Sequence, residues 1–337
     1  MEDWDYVGEL TDEPWDEVAG EGVQSLFTVL GKPVTAYAVG MALAVLLGLL
    51  LLWWTSRRAK LKDGTASTLG LLAIPLGLIG ARLFYVVTQY YFFEEIGFEN
   101  AWKLWQGGFA LWGAVGGVAL AALITAKITG QKAAALLDAC AAPAALTISV
   151  SRFAEYFSGE GIGLYVEDWV KAFRFFPFAV QNEFGEWYWA VFMLEGLVAL
   201  AILAAVLRKE RPAGDTARLF LILYSAAQVF LESLRRDGCL KWQFVRVSQL
   251  TAAIVLGLLI IAAIIRRSRA AQKLPSLKAL IALCAGFAVC IGLCIWMEFA
   301  IDKFHELPVW GVFLITALSC VGLGVITCRI VFPKKKA

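Results

Sequence analysis

The sequence predicts an all-α, polytopic integral membrane protein of about nine transmembrane helices. Three observations predict it. Of 337 residues, 60% are hydrophobic and 17% charged, against about 25% charge in an average soluble protein. Apolar runs of about 20 residues recur along the chain, the length that crosses a hydrocarbon core of roughly 30 Å. No segment of about ten residues alternates as a transmembrane barrel strand does. In lipid the backbone must satisfy itself, so the runs are helices. A soluble enzyme, a disordered chain and a secreted disulfide scaffold are excluded. The net charge of +2 leaves no basic surface for nucleic acid.

In chain order, residues 1–31 carry nine acids and no base before Lys32. A signal peptide opens with positive charge, so this stretch reads as an acidic extracytoplasmic tail. Hydrophobic spans follow at about 34–54, 66–92, 108–126, 134–157, 187–207, 219–235, 247–265, 278–297 and 309–328. Residues 32–266 hold seven of them as a core, and 267–337 add a two-helix C-terminal extension. When the helix ends are numbered alternately, one side carries 19 Lys and Arg (Arg57, Arg58, Lys127 and Arg208 among them) and the other nine. The richer side is cytoplasmic, which puts the N-terminus outside and the C-terminus inside a bacterial plasma membrane. The longest connection, 158–186, contains VEDWVKAFRFFPF, a mixture of aromatic and charged residues that suits a segment lying on the membrane surface.

The seven cysteines include no C-x-x-C pair, and five fall in the last two spans. They read as small buried hydrophobes rather than a metal or redox site. His305 is the only histidine, which leaves no histidine-based metal site or serine–histidine relay.

Ionisable residues inside a span are costly unless paired or solvated, so each is a functional candidate. Here they are Arg82, Asp138, Arg152, Glu155, Glu195 and Glu232, accompanied by Tyr37, Tyr85, Gln89, Tyr224 and Gln228. At 1.5 Å per residue, Arg82 lies about 24 Å from the cytoplasmic start of its span, Arg152 about 27 Å and Glu232 about 20 Å. With Tyr37, they share the outer half of the membrane. Asp138 is near an inner end, where a cap or loop contact is expected. Glu195 is equally readable as an inter-helix hydrogen-bond partner. At about 100° per residue, Tyr224, Gln228, Glu232 and Arg235 occupy one helix face, as do Arg82, Tyr85 and Gln89. Arg152 and Glu155, three apart, can pair. Either these residues pair with one another and hold the bundle together, or they line a cavity. Three polar stripes at one depth favour a cavity open to the outer leaflet. Two arginines there suit an anionic group, a phospholipid phosphate being the natural one. Gly107-Gly108, Gly113, Gly116-Gly117 and Gly159-x-Gly161-x-Gly163 permit close backbone approach or tight turns.

Several of these runs resemble the bacterial prolipoprotein diacylglyceryl transferase family. They are Gly80-Ala81-Arg82-Leu83-Phe84-Tyr85-Val86, Trp105-Gln106-Gly107-Gly108-Phe109 with Leu111-Trp112-Gly113, and Asp138 to Gly163 with Ser151-Arg152-Phe153 and Ser158-Gly159-Glu160. Leu219 to Arg235 and Ser248-Gln249-Leu250 continue the likeness, whose order and spacing hold over roughly 33–265. The resemblance implies transfer of a diacylglyceryl group from phosphatidylglycerol to the lipobox cysteine of a preprolipoprotein signal peptide, with release of glycerol phosphate and no cofactor or metal. It implies Tyr37, Arg152 and Glu160 as catalytic residues, and Glu155, three residues after Arg152, joins them as a candidate base. The substrate-binding candidates are Arg82, Tyr85, Gly108, Gly163, Tyr224, Glu232 and Arg235, together with Trp112, Ser158 and Gln228 at positions where the family carries other residues.

The sequence also departs from the family pattern. Trp112 stands where the family has a histidine, Glu155 and Ser158 where it has asparagines, and Gln228 where it has an arginine. Glu186-Trp187-Tyr188-Trp189 replaces the H/R-P-S/T-Q-L-Y-E segment. Glu155 either takes over as a base or neutralises Arg152. The second case implies a diverged, inactive or re-purposed paralogue that binds phospholipid or peptide at the outer leaflet.

Overall fold

The computed structural model describes residues 25–29, 32–104, 107–182, 184–235, 240–242, 245–269, 277–303 and 309–332. The acidic tail up to residue 24, Trp105-Gln106, Cys239 and His305 lie outside the described residues. In chain order, β1 (Ser25–Val29) and β2 (Lys32–Thr35) form an antiparallel hairpin ahead of α1 (Ala36–Arg58). Then come α2 (Thr65–Thr88), the short α3 (Tyr90–Ile96), α4 (Leu111–Thr129) and α5 (Ala133–Ala154). Next, β3 (Ile162–Tyr165), β4 (Ala179–Gln181) and β5 (Trp187–Ala190) form one sheet in the order β3-β5-β4. It leads into α6 (Val191–Leu207) and α7 (Asp215–Leu234). The β6 (Lys241–Trp242) and β7 (Val245–Arg246) hairpin precedes α8 (Val247–Arg269), α9 (Leu277–Lys303) and α10 (Val309–Val331).

Among the described residues, eight helices are long and apolar enough to cross a membrane, and α6, with 17 residues, is shorter. The protein is thus an all-α, multi-pass membrane protein, with small sheets gathered at one end of the bundle. The expected fifth span began at 187, but Trp187 to Ala190 pair on both sides as the central strand of the sheet. Their aromatic side chains suit a strand as well as a bilayer, which is why hydropathy alone merged them with the helix. The expected second span breaks at Gln89, whose ψ of 34° ends α2. The third opens at 111 rather than 108, because Gly107 and Gly108 adopt φ of +76° and +75°, a region that suits glycine and ends helical geometry. The 158–186 connection supplies two strands of the three-stranded sheet, and between them Trp169 and Phe173, in a 3-10 turn over Asp168–Phe173, and Phe175 and Phe176 beyond it are exposed.

Small residues set the helix spacing. A Cβ built on Gly80 would lie 2.5 Å from the Gly113 carbonyl oxygen, and Gly113 and Gly117 press equally on the carbonyls of Gly80 and Leu76. So α2 and α4 meet backbone to backbone, as small-residue interfaces in membranes allow. Central α5 runs antiparallel to α1, with Ala154 against Gly40, Thr147 against Gly48, and the Thr55 hydroxyl donating to Ala139 O at 2.8 Å. Its Ser149 hydroxyl donates to Gly196 O of α6 at 2.9 Å. At the opposite end from the sheets, Asp138 accepts from Gly214 N at 2.6 Å and Ala217 N at 2.8 Å, capping the start of α7 from a neighbouring helix.

The extension packs as a pair. Cys294 Sγ of α9 lies 4.0 Å from Cys320 Sγ of α10. Gly324 of α10 faces Ala226 of α7, Leu323 is buried with Ile222 and Leu256, and buried Arg267 of α8 donates to Ile330 O.

Candidate active site

Arg152 occupies the last turn of α5, where the helix tightens into a 3-10 turn over Glu155–Phe157. Ser158 closes that turn: its N–H and hydroxyl both donate to Glu155 O, at 3.0 and 3.1 Å. Arg152 Nη1 pairs with Glu155 Oε1, and Arg152 Nε lies 2.6 Å from Glu195 Oε2 on α6. That carboxylate also faces Arg235 Nη1 at 3.5 Å. On α7, Gln228 Nε2 donates to Glu232 Oε2 at 2.9 Å and to Glu195 Oε1 at 3.5 Å. Arg246 of β7 donates to the carbonyls of Glu232 and Arg235 at 2.6 and 2.9 Å, covering the end of α7. Three carboxylates, two paired guanidinium groups and an amide thus interlock where α5, α6 and α7 meet.

These groups are buried; Glu155, Glu195 and Glu232 are only 7%, 4% and 3% exposed. Buried charge persists only when matched, and removing one partner of such a pair typically costs about 3–5 kcal/mol. Two buried carboxylate and amide oxygens, Glu155 Oε2 and Gln228 Oε1, have no hydrogen-bond partner among the described residues, whereas the Tyr224 hydroxyl is hydrogen-bonded with Arg152. Tyr224 stacks on Phe220 and tilts against Trp112, with ring centroids 5.8 and 5.6 Å apart. Its hydroxyl feels the charges of Arg152, Glu195 and Glu232. Tyr37, at the start of α1, is half-buried within electrostatic reach of Glu160, Glu155 and Arg152. Glu160 itself is exposed at the rim. Gly163 bridges to Arg235, and a Cβ there would press on Leu234 O and Val191. The glycine therefore lets the sheet dock on the end of α7.

Arg82 forms a second centre. Nε donates to Ala101 O at 2.8 Å, Nη2 to Asn100 O and Lys103 O at 2.8 and 3.4 Å, and Nη1 to Gly107 O and to Gly108 O at 3.2 Å. Five N–H donors thus meet five loop carbonyls, and the guanidinium sits 5.7 and 5.4 Å from the rings of Tyr85 and Phe93. The adjoining cavity, lined in part by Tyr85, Gly107 and Gly108, measures about 40 Å³, room for little more than a water or two. Arg82 is therefore committed to loop carbonyls, whereas Arg152 is committed to carboxylates. Arg82 holds the loop that carries Gly108 and leads to Trp112, and Trp112 in turn touches Tyr224.

The structure draws together Tyr37, Arg152, Glu155, Glu160, Ser158, Gly163, Tyr224, Gln228, Glu232 and Arg235, and links Trp112 to them. Arg82, Tyr85 and Gly108 stand apart as the loop centre. Two members escaped assignment from sequence. Glu195 was readable as an ionisable residue in a span, but its position at the hub was not. Arg246 sits in a two-residue strand with no sequence signal. Among the described residues no group of three His, Cys, Asp or Glu is placed to hold a metal ion.

Comparison with known proteins supplies the context. Residues 24–266 match the sequence profile of the family described as prolipoprotein diacylglyceryl transferase. Phosphatidylglycerol–prolipoprotein diacylglyceryl transferase 1 of Streptomyces coelicolor is 28% identical over 258 residues, covering 72% of either chain. The Listeria monocytogenes serotype 4b protein carrying that enzyme name is 28% identical over 260 residues, 74% of this chain and 93% of its own. The similarly named Frankia alni protein is 29% identical over 243 residues, 70% of this chain and 64% of its own.

Proposed function

We propose that this chain, which belongs to the prolipoprotein diacylglyceryl transferase family, transfers a diacylglyceryl group from a phospholipid to the lipobox cysteine of a preprolipoprotein signal peptide. Phosphatidylglycerol, named as donor in the relatives, is the first candidate. The observation that carries the reading is Arg152 held between Glu155 and Glu195 beside Tyr224 and Tyr37. A charge-rich site of this kind in a membrane bundle is maintained against a steep desolvation cost.

The thiolate is the nucleophile in such a transfer. The Glu155 carboxylate, with Oε2 uncommitted, takes the thiol proton. Sulfur attacks the glyceryl carbon that bears the phosphate ester, the C–O bond breaks, and the electron pair leaves on the phosphate. Arg152 and Arg235 shift from their carboxylate partners toward that developing charge. Arg82, Tyr85 and Gly108 support the site from the loop. No cofactor takes part. The charge asymmetry of the helix ends supports a site at the outer leaflet of a bacterial plasma membrane, with the N-terminus outside.

The test is purified protein in phosphatidylglycerol vesicles with a lipobox peptide. Glycerol phosphate release, with a matching mass gain on the peptide, is expected. Release no greater than in a protein-free control overturns the reading. A second reading, a re-purposed paralogue that binds lipid or peptide without turnover, is favoured by one observation: Arg152 and Arg235 already face carboxylates.

A further inference from the structure

The end of the bundle opposite the sheets holds more cation than acid. Asp215, at the start of α7, pairs with Arg218 and lies 4.0 Å from Arg266 Nη1 of α8. Asp138 also faces Arg218, but its carboxylate already accepts from Gly214 N and Ala217 N. Against these two acids stand Arg218, Arg266, buried Arg267 and, one turn on along α8, Arg269. Arg267 is committed to Ile330 O. Exposed Arg269 has neither an ion pair nor a hydrogen bond among the described residues. Like charges a turn apart destabilise a helix, so an anion held between Arg266 and Arg269 stabilises the end of α8.

Both arginines line one cavity of about 530 Å³, together with Ala262 and Ile265. The same flank of α8 continues through Ile265, Ile261, Leu258 and Ile254, all exposed and spaced by three or four residues. At 1.5 Å per residue this is an apolar track about 16 Å long, and it ends at two guanidinium groups. A free inorganic anion matches the arginines and leaves the track unused. A phospholipid uses both, its phosphate on the guanidinium forks and its acyl chain along the helix. The surrounding cations disfavour a head group that carries its own positive charge. We propose that Arg266 and Arg269 bind an anionic phospholipid in the leaflet on this side, the side richer in Lys and Arg and so the cytoplasmic one. This second lipid site lies at the other end of the bundle from Arg152 and does not depend on the transfer reaction.

The experiment strips full-length protein of lipid in detergent and titrates it with phosphatidylglycerol or phosphatidylcholine, counting bound lipids by native mass spectrometry. Phosphatidylglycerol is also the proposed transfer donor, so wild type is compared with Arg266→Gln/Arg269→Gln, which leaves the Arg152 site intact. The double variant is expected to weaken one phosphatidylglycerol-binding event by at least about tenfold, the loss of one charge-assisted contact, with phosphatidylcholine binding unchanged. Arg269→Gln alone, at an exposed position without a partner, is expected to weaken the same event and decides the matter if the double variant fails to fold. Equal phosphatidylglycerol affinity in wild type and variants overturns the proposal. So does an equal loss for phosphatidylcholine, which marks ordinary boundary lipid, and so does displacement of the lipid by an equal concentration of inorganic phosphate. Absence of transfer activity overturns the transferase reading and leaves this measurement unaffected.

Discussion

Arg152 Nε lies 2.6 Å from Glu195 Oε2, and this contact joins α5 to α6 at the end of the bundle that carries the sheets. The same carboxylate reaches Arg235 and Gln228 on α7, so Glu195 is the point where three helices share charge.

Replacing Glu195 with Ala would leave two buried guanidinium groups short of a partner. Thermal unfolding in detergent should show a loss of about 3 kcal/mol, and transfer activity should fall by at least about tenfold. A variant that melts with the wild type would remove Glu195 from the hub.

Arg82→Lys keeps the charge but offers three donors where five carbonyls accept. Hydrogen exchange should quicken across 98–110, including the Ala110 amide that donates to Ala81 O at 3.1 Å. Stability should drop by about 2 kcal/mol. Unchanged exchange there would sever Arg82 from the loop.

Gly113→Leu should prevent α2 and α4 from closing and abolish recovery of folded protein, since overpacking at a backbone contact costs about 3 kcal/mol or more. Gly116, with nothing within 4 Å of a built Cβ, should accept Ala without loss. Size-exclusion profiles of the two variants make the comparison.

Asp138→Ala removes the acceptor for Gly214 N and Ala217 N. A melting shift equivalent to about 1–2 kcal/mol is expected, the usual value of a cap. Because the cap lies at the far end of α7 from Gln228 and Glu232, transfer activity per folded molecule should not move.

What the sequence discloses about this site follows physical range. Arg152 and Glu155 are three apart, so their pairing is visible in the spacing, and Tyr224, Gln228 and Glu232 declare a common face through the helical period. Asp138 was placed near a helix end and caps one. Contacts between distant segments were not visible. Arg82 sits at the depth of a ligand-binding arginine, yet its partners are carbonyls 18 to 26 residues onward, and carbonyls leave no trace in residue identity. Glu195 could be flagged as costly but not assigned to neighbours. Trp187 to Ala190 were hidden because an aromatic strand and the start of an apolar helix have the same hydropathy.

The family match ends at residue 266, and the next residue, Arg267, is the one whose guanidinium reaches back to Ile330 near the end of α10. The appended helices are therefore fastened by a rivet that stands just outside the shared region. A chimaera that joins a seven-helix relative to α9 and α10 at this boundary inherits a seated extension only if it takes Arg267 along.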